Sequence, residues 1–493
     1  MTRVRQNGAR WGQVGILLVA WLLRVPPLLR DPLHPDEALY GYWGLLVGRG
    51  QDPWLTGVPV YKPPLLPYTM AGSQWILGHT RVALRLPGLM AGVLSVALAG
   101  ALARALYRDR GMAVAAALAV ALSPFAVTLS STAFPDPLMV ALGLAACIAA
   151  ASRRPLIAGA LAGLAFAAKQ TALVWLPLVV VLSIATHRPS ALAGRALLRL
   201  GGGLASVVGI VFAWDAARVA QGADGFWQVG LVGYGGLRFA WPHELRERLL
   251  AWLGLLRHLF VSPPVNILLL TGLPILAWMS LRRRQGRRSA LADLLLVAFS
   301  LIYVLVHWLV AFPTWDRYLL PLVPVLAVLM ARILGMVTGR LRSVSPRWGE
   351  AAAPILLALL LIAPALRARA GRYPIGGERI VYRGVEDVVA LLGQLPEGAV
   401  VYHHWLGWHY RYGLFDGPVY LAYWPTPAWL ARDVQAFGHQ EPRYLAFPTW
   451  ESAARVEQAL SDVGYALDPV LTTTDQYGAP SFTLYAIEAS SDR

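Results

Sequence analysis

Apolar stretches of about 17–25 residues recur along the first three quarters of the chain, each long enough to cross a hydrocarbon core of roughly 30 Å. No other feature restricts the fold so severely, because a soluble domain cannot hide so many such runs from water. Composition agrees: 57% of residues are hydrophobic and 14% charged, with a mean hydropathy of +0.52, whereas soluble domains carry nearer a quarter charged residues. Candidate spans fall at about 12–29, 82–103, 111–130, 136–151, 155–168, 170–185, 199–219, 264–280, 289–311, 319–336 and 351–366. Those at 155–168 and 170–185 are short, which predicts tilted or partly re-entrant segments. The first run is followed by no small-residue cleavage site and reads as a retained helix. Cys147, the only cysteine, lies inside an apolar run, so no intrachain disulfide forms.

The formal net charge of +16 would raise nucleic acid as a partner for a soluble chain. Here the arginines sit in short clusters between apolar runs and form no single basic face, which is the pattern of a topology signal and not of a nucleic-acid binder. Arg3, Arg5 and Arg10 precede the first span; Arg104, Arg108 and Arg110 follow the second; Arg153 and Arg154 follow the fourth. Arg188, Arg195 and Arg199 follow the sixth, Arg282, Arg283, Arg284, Arg287 and Arg288 the eighth, and Arg340, Arg342 and Arg347 the tenth. With about eleven alternating helices all of them fall on one side, which predicts a cytoplasmic N-terminus. Loop 30–80, the aromatic-rich loop 220–263 and everything beyond about 367 then lie outside.

Beyond 367 apolar runs shorten and acidic residues appear. Strand-like runs at Ala399–Tyr402 and Tyr444–Phe447 alternate with helical stretches at 383–394 and 451–463. The expected architecture is a polytopic α-helical membrane domain, 1–366, followed by a small extracytoplasmic α/β domain, 367–493, long enough for its own core.

Of 43 basic side chains only Lys62 and Lys169 are lysines, compact point charges in a chain that otherwise prefers arginine. Lys62 stands in Tyr61-Lys62-Pro63-Pro64, where prolines present it from a rigid turn. Such a fixed cation suits a phosphate leaving group, or simply lipid headgroups. Arg81 and Arg85, opening the second span, face the same two uses. His34-Pro35-Asp36-Glu37 follows the first span directly. Its carboxylates either act as a general base toward a hydroxyl or cap the helix that follows. Asp136, held between Pro135 and Pro137 in a short outer turn, either orients that turn, pairs with a cation such as Lys169, or helps to bind an acceptor.

Taken in order, His34-Pro35-Asp36-Glu37, Lys62-Pro63-Pro64, Arg85-Leu86-Pro87, Asp136-Pro137 and Ala167-Ala168-Lys169-Gln170 resemble the bacterial members of glycosyltransferase family 39. That family lies within the C-type glycosyltransferase superfamily and includes aminoarabinose transferases and protein O-mannosyltransferases. The likeness covers about 12–185 and continues more weakly to Asp316-Arg317-Tyr318. It implies a membrane enzyme of the bacterial inner membrane that transfers sugar from a polyprenyl-phosphate donor to an extracytoplasmic lipid, protein or glycan hydroxyl. By the same resemblance Asp36, with Glu37 beside it, acts as base or positions the acceptor, while Lys62, Arg317, Tyr318 and Arg85 serve the donor phosphate. Asp136, Lys169, His34 and Tyr61 support the acceptor or the site's structure.

A single displacement of this kind inverts the anomeric centre. Asp36, Glu37 and Asp136 also offer hard oxygen ligands to Mg²⁺ or Mn²⁺, and side-chain cations offer a metal-free route; both stay open. Phe226, Trp227, Tyr234, Phe239 and Trp241 in the second outer loop, and Trp405, Trp408, Trp424, Trp429 and Trp450 near the C-terminus, suit either a membrane interface or sugar stacking. His403, His404 and His409 read as surface or core histidines. Two other classes compete. A transporter or flippase would place its charges at mid-membrane among repeated, broken helices, and a non-catalytic envelope assembly protein would reuse the same membrane fold.

Overall fold

A computed structural model describes residues 2–187, 190–233, 238–282, 287–339, 345–375 and 377–490. Arg188, Tyr234, Arg283, Arg284, Arg340 and Arg342 of the sequence reading lie outside the described residues. The chain divides into two compact units, one of residues 1–29 with 47–375, the other of residues 30–46 with 376–493.

The first is a helical membrane unit. Among the described residues six helices are long and apolar enough to cross a bilayer: Trp11–Arg30, Arg81–Tyr107, Leu192–Val219, Pro263–Arg282, Arg288–Leu309 and Gly349–Arg369. Shorter apolar helices occupy Asp136–Ala151, Pro155–Ala168, Gln170–Thr186 and Leu322–Val337. Each of the eleven expected spans thus contains helix, but by length only six of them among the described residues, or seven with a bent pair, can cross a bilayer.

The run near 111–130 is a bent pair, Arg110–Leu122 and Pro124–Ser130, turned by 60°. Pro124 disfavours helical geometry at the residue before it, and Ser123 is extended at φ −63°, ψ 117°. The Ser123 hydroxyl accepts from the Ala126 N–H at 3.3 Å, restarting the helix. Carbonyls freed by such a break need donors inside a membrane. Arg24, fully buried in the first helix, supplies them: its guanidinium donates to Val120 O and Ala121 O, both at 3.1 Å.

Helices Pro155–Ala168 and Ser190–Val219 approach each other through glycine. A Cβ on Gly159 would stand 1.9 Å from Leu200 O, and one on Gly203 2.2 Å from Leu156 O. Such small-residue contacts give membrane helices their close packing. Lys169 breaks the chain between Pro155–Ala168 and the 3₁₀ turn Gln170–Trp175, with extended φ −159°, ψ 129°. The loop 220–263 of the sequence reading is largely helical among its described residues, at Phe226–Gly233 and Pro242–Leu256. Arg248 and Trp252 of the latter donate to the His307 carbonyl, each at 2.8 Å.

The second unit is built on a sheet of five strands: β1 Val400–His403, β2 Tyr420–Tyr423, β3 Arg443–Pro448, β4 Tyr465–Thr474 and β5 Pro480–Ala489. Their order is β2-β1-β3-β5-β4, with β1 parallel to β2 and β3, and β5 antiparallel to β3 and β4. Val401, Leu406 and Leu484 belong to one apolar cluster, and Tyr402, Leu445 and Ile487 to another, as alternation along the strands requires. The expected strands at 399–402 and 444–447 appear as β1 and β3. The helical stretches appear as Val385–Leu392 and Ala454–Ser461.

Residues 30–46, read from sequence as part of a membrane-domain loop, cluster here with the sheet. Tyr42 packs on Trp408 and Phe415 with ring centroids 6.4 and 5.8 Å away, and the Leu33 carbonyl accepts from His409 Nε2 at 3.0 Å.

Candidate active site

In the sheet unit, His34-Pro35-Asp36-Glu37 opens the helix Pro35–Gly48. His34 is its N-cap, and Pro35 takes the first helical position, where the missing N–H costs nothing. His34 Nδ1 accepts from the Asp36 N–H at 3.0 Å, while Glu37 Oε2 accepts from the His34 N–H, also at 3.0 Å. Glu37 closes back as in a capping box, while the histidine ring caps the second helical N–H instead of the third. The two adjacent carboxylates therefore differ. Glu37 is fully buried and bonded into the cap. Asp36 keeps 24% of its side-chain surface accessible, with His34 Nδ1 4.0 Å from its Oδ2.

His409, against Leu33, is buried and held down to a pKa of about 4 by desolvation. His403 is likewise buried and lowered to about 4 by desolvation and by Arg411. Both are neutral core residues at physiological pH. His404 is half-buried and stacks on Tyr423, the rings 15° apart.

In the membrane unit the remaining candidates gather around one buried ion pair. Lys169 Nζ donates to Asp136 Oδ1 at 2.6 Å, with 2% of each side chain accessible. The pairing weighed from the sequence is thus present. Lys169 also lies 4.3 Å over the Tyr318 ring, a contact that strengthens when desolvated. Arg317, next along the 3₁₀ turn Asp316–Leu319, sets its guanidinium 4.5 Å over Phe134 and 4.4 Å over Trp315. The Tyr61 carbonyl accepts from Gln170 Nε2 at 2.8 Å, bringing the Tyr61-Lys62 turn to the residue beside Lys169. Lys62 is buried, its ammonium 4.9 Å over the Tyr61 ring.

Arg85 is fully buried and donates to Leu28 O at 2.9 Å. One turn on, Gly88 is where the helix meets the Ser130–Thr132 backbone; a Cβ there would stand 2.1 Å from Thr132 O. Asp136 follows that backbone directly. Lys169 is thus the cation on Asp136, with Tyr318 beside it, while Lys62, Arg85 and Arg317 are held on residues neighbouring that pair in the chain. A phosphate in such a place meets several charge-assisted donors in a low-dielectric setting.

Tyr303 and His307 were not anticipated. They stack at 4.2 Å with rings 19° apart, and His307 stands 6.1 Å from Tyr318. The Tyr303 hydroxyl donates to the Tyr318 carbonyl, and His307 Nδ1 donates to Tyr303 O at 2.9 Å. The pair buttresses Tyr318 from behind. The signal was legible, since a histidine inside an apolar span is a functional candidate by default. As to a metal, Asp136 Oδ1 is engaged by Lys169. Among the described residues no three His, Cys, Asp or Glu side chains form a metal-holding group.

Residues 61–214 match the family described as dolichyl-phosphate-mannose-protein mannosyltransferase. That interval contains Tyr61, Lys62, Arg85, Asp136 and Lys169. A curated relative is the undecaprenyl phosphate-alpha-4-amino-4-deoxy-L-arabinose arabinosyl transferase of Pectobacterium carotovorum subsp. carotovorum (strain PC1). It is 31% identical over 232 residues, which are 43% of this chain and 40% of that protein. The match therefore spans less than half of that relative's length.

Among solved structures, ArnT from Cupriavidus metallidurans bound to undecaprenyl phosphate is similar at a TM-score of 0.63 and 16% identity, over 96% of this chain and 97% of that one. Its apo state gives 0.63 and 15% over 98% of each. The archaeal oligosaccharyltransferase AglB from Archaeoglobus fulgidus gives 0.51 and 14%, over 94% of this chain and 70% of that one. These likenesses establish the C-type glycosyltransferase fold, a multi-pass membrane bundle with a small C-terminal sheet domain.

Proposed function

We propose that this chain, whose residues 61–214 match the family described as dolichyl-phosphate-mannose-protein mannosyltransferase, moves a sugar from a polyprenyl-phosphate donor to an extracytoplasmic acceptor hydroxyl with inversion. The observation that carries the reading is the buried Asp136–Lys169 pair, with Tyr318, Arg317 and the Tyr61-Lys62 turn drawn around it. Cations gathered where apolar helices begin suit a ligand that is phosphate at one end and hydrocarbon at the other. The names of the relatives support the donor class, since two of them carry undecaprenyl phosphate.

Each residue then has a defined task. Lys62 and Arg317 take up charge as the sugar–phosphate bond breaks. Lys169, fixed by Asp136, and Arg85, fixed on Leu28, keep the surroundings of the phosphate rigid. Asp36 accepts the proton of the attacking hydroxyl, and Glu37 holds the helix that presents it. One displacement with no covalent enzyme intermediate inverts the anomeric carbon. The arginine clusters support a cytoplasmic N-terminus in the bacterial inner membrane with the sheet unit extracytoplasmic.

The decisive experiment measures transfer from a labelled polyprenyl-phosphate sugar by Asp36→Asn, with membrane insertion and donor binding followed in parallel. Transfer is expected to be lost while donor binding persists. Full turnover in that variant removes the base assignment. Mass spectrometry of surface glycans in a deletion strain names the sugar and the acceptor together.

A further inference from the structure

A cavity of about 850 Å³ opens among the ends of membrane-unit helices, away from the cluster just described. It lies where Arg81–Tyr107, Asp136–Ala151 and Leu176–Thr186 end and where Arg287–Leu309 begins. Arg108, Arg153 and Arg288 line it with Ser152, Thr186 and Ser280, on walls of leucine and alanine. No acidic residue lines it among the described residues. Asp293, which accepts from Ser280 at 3.1 Å, is fully buried and paired with Arg332 at 3.2 Å, so its charge is already met. Roughly 35 Å of helix separates Arg85 from Arg108, about the thickness of a bilayer core. The cavity is therefore at the membrane face opposite Arg85, the face that the proposed topology makes cytoplasmic.

The backbone supplies a second, independent observation. Among the described residues, non-glycine residues with positive φ are Leu55, Arg108, Arg153 and Val261. Two of these are arginines of this one cavity, at φ 58° and 60°. Each sits just past a helix C-terminus, where a left-handed residue is ordinarily glycine, and this chain has 46 glycines to draw on. Complementing the helix dipole does not require the strain, because an arginine in the last helical turn would serve equally well. The turns alone would favour glycine, so a ligand is the better account of arginine at both.

We infer that this cavity binds the phosphate headgroup of an anionic membrane phospholipid, with its acyl chains along the apolar walls. Guanidinium matches phosphate in bidentate fashion, and basic pockets between spans on the cytoplasmic side suit anionic headgroups. Walls of leucine and alanine give a lipid tail a place that a free anion would leave empty. The site is separate from sugar transfer and stands whether or not that reading holds.

The test uses the purified full chain in neutral detergent. Thermal unfolding is followed as phosphatidylglycerol, phosphatidylcholine or inorganic phosphate is added, and native mass spectrometry counts lipid retained through purification. Phosphatidylglycerol alone is expected to raise the unfolding midpoint. Arg108→Gly and Arg153→Gly relieve the left-handed strain, so their lipid-free midpoint holds or rises. The double variant should bind phosphatidylglycerol about 30-fold more weakly. An undiminished phosphatidylglycerol response in that double variant and in Arg288→Ala overturns the proposal. An equal response to phosphatidylcholine overturns it too, as does an equal response to inorganic phosphate, which would mark a site for a soluble anion.

Discussion

Replacing Lys169 by methionine tests how the buried pair is used. The substitution keeps an unbranched side chain one atom shorter and removes its charge. Asp136, 1% exposed, then loses the ammonium 2.6 Å from its Oδ1, and its Oδ2 already lacks a partner among the described residues. Breaking a buried pair from one side costs about 3–5 kcal/mol, because the remaining charge stays desolvated. Loss of the cation over Tyr318 adds about 1 kcal/mol. Adding Asp136→Asn removes the stranded charge, so the double variant should regain most of that stability. Thermal unfolding in detergent reads the stability arm, and donor turnover reads the other. If the pair is wholly structural, turnover returns with stability in the double variant. If the pair serves the phosphate, stability returns and turnover does not. A single variant that keeps both within error of the wild type would refute the argument from burial.

Three further outcomes are expected. Glu37→Gln preserves the capping hydrogen bond and should keep transfer, unlike Asp36→Asn, whereas Glu37→Ala costs about 1 kcal/mol; loss of transfer in Glu37→Gln at unchanged stability would move the base to position 37. His403 and His409 have folded pKa values of about 4, below the ordinary 6.5. The folded sheet unit therefore binds fewer protons than the unfolded chain, and stability falls as pH drops from about 6.5 to 4, by up to about 3 kcal/mol per histidine. Hydrogen exchange across residues 377–490 against pH checks this, and a flat profile refutes it. Arg24→Leu strands the Val120 and Ala121 carbonyls at about 1–3 kcal/mol each; a thermal midpoint equal to that of the wild type would show that other groups satisfy them.

The spans were legible because their signal is local: twenty consecutive apolar residues need no knowledge of their neighbours. Lys169 and Asp136 stood out for a related reason, each being a charge beside an apolar helix with few alternatives as partner. Arg24 was hidden inside an apolar run. Its role appears only with the 60° break at Ser123, about a hundred residues away in sequence. Tyr303 and His307 carried a helical spacing, but what they buttress lies beyond the end of their own helix. The grouping of residues 30–46 with the sheet rests on Leu33, His34 and Tyr42 meeting His409, Tyr382 and Trp408, contacts that no local pattern announces. Of the strands, β1 and β3 lie inside the sheet and are buried along nearly their whole length, so they read as short continuous apolar runs. β2 and β4 are edge strands, mostly half-buried or exposed, and their pattern is correspondingly weak.

Arg24 does more than mend a broken helix. Its guanidinium holds Val120 and Ala121, while its own carbonyl accepts from the Ser131 hydroxyl at 2.7 Å. The stretch from 120 to 131 is thereby hung at both ends from one residue of the first span, and Asp136 follows a few residues later. Whatever slides or tilts that span carries this hanger with it. Bilayer thickness does so, because a helix too long for its membrane leans over. A tilt of the first span to match a thinner bilayer would thus be expected to pull on residues 120–131, just ahead of Asp136 in the chain.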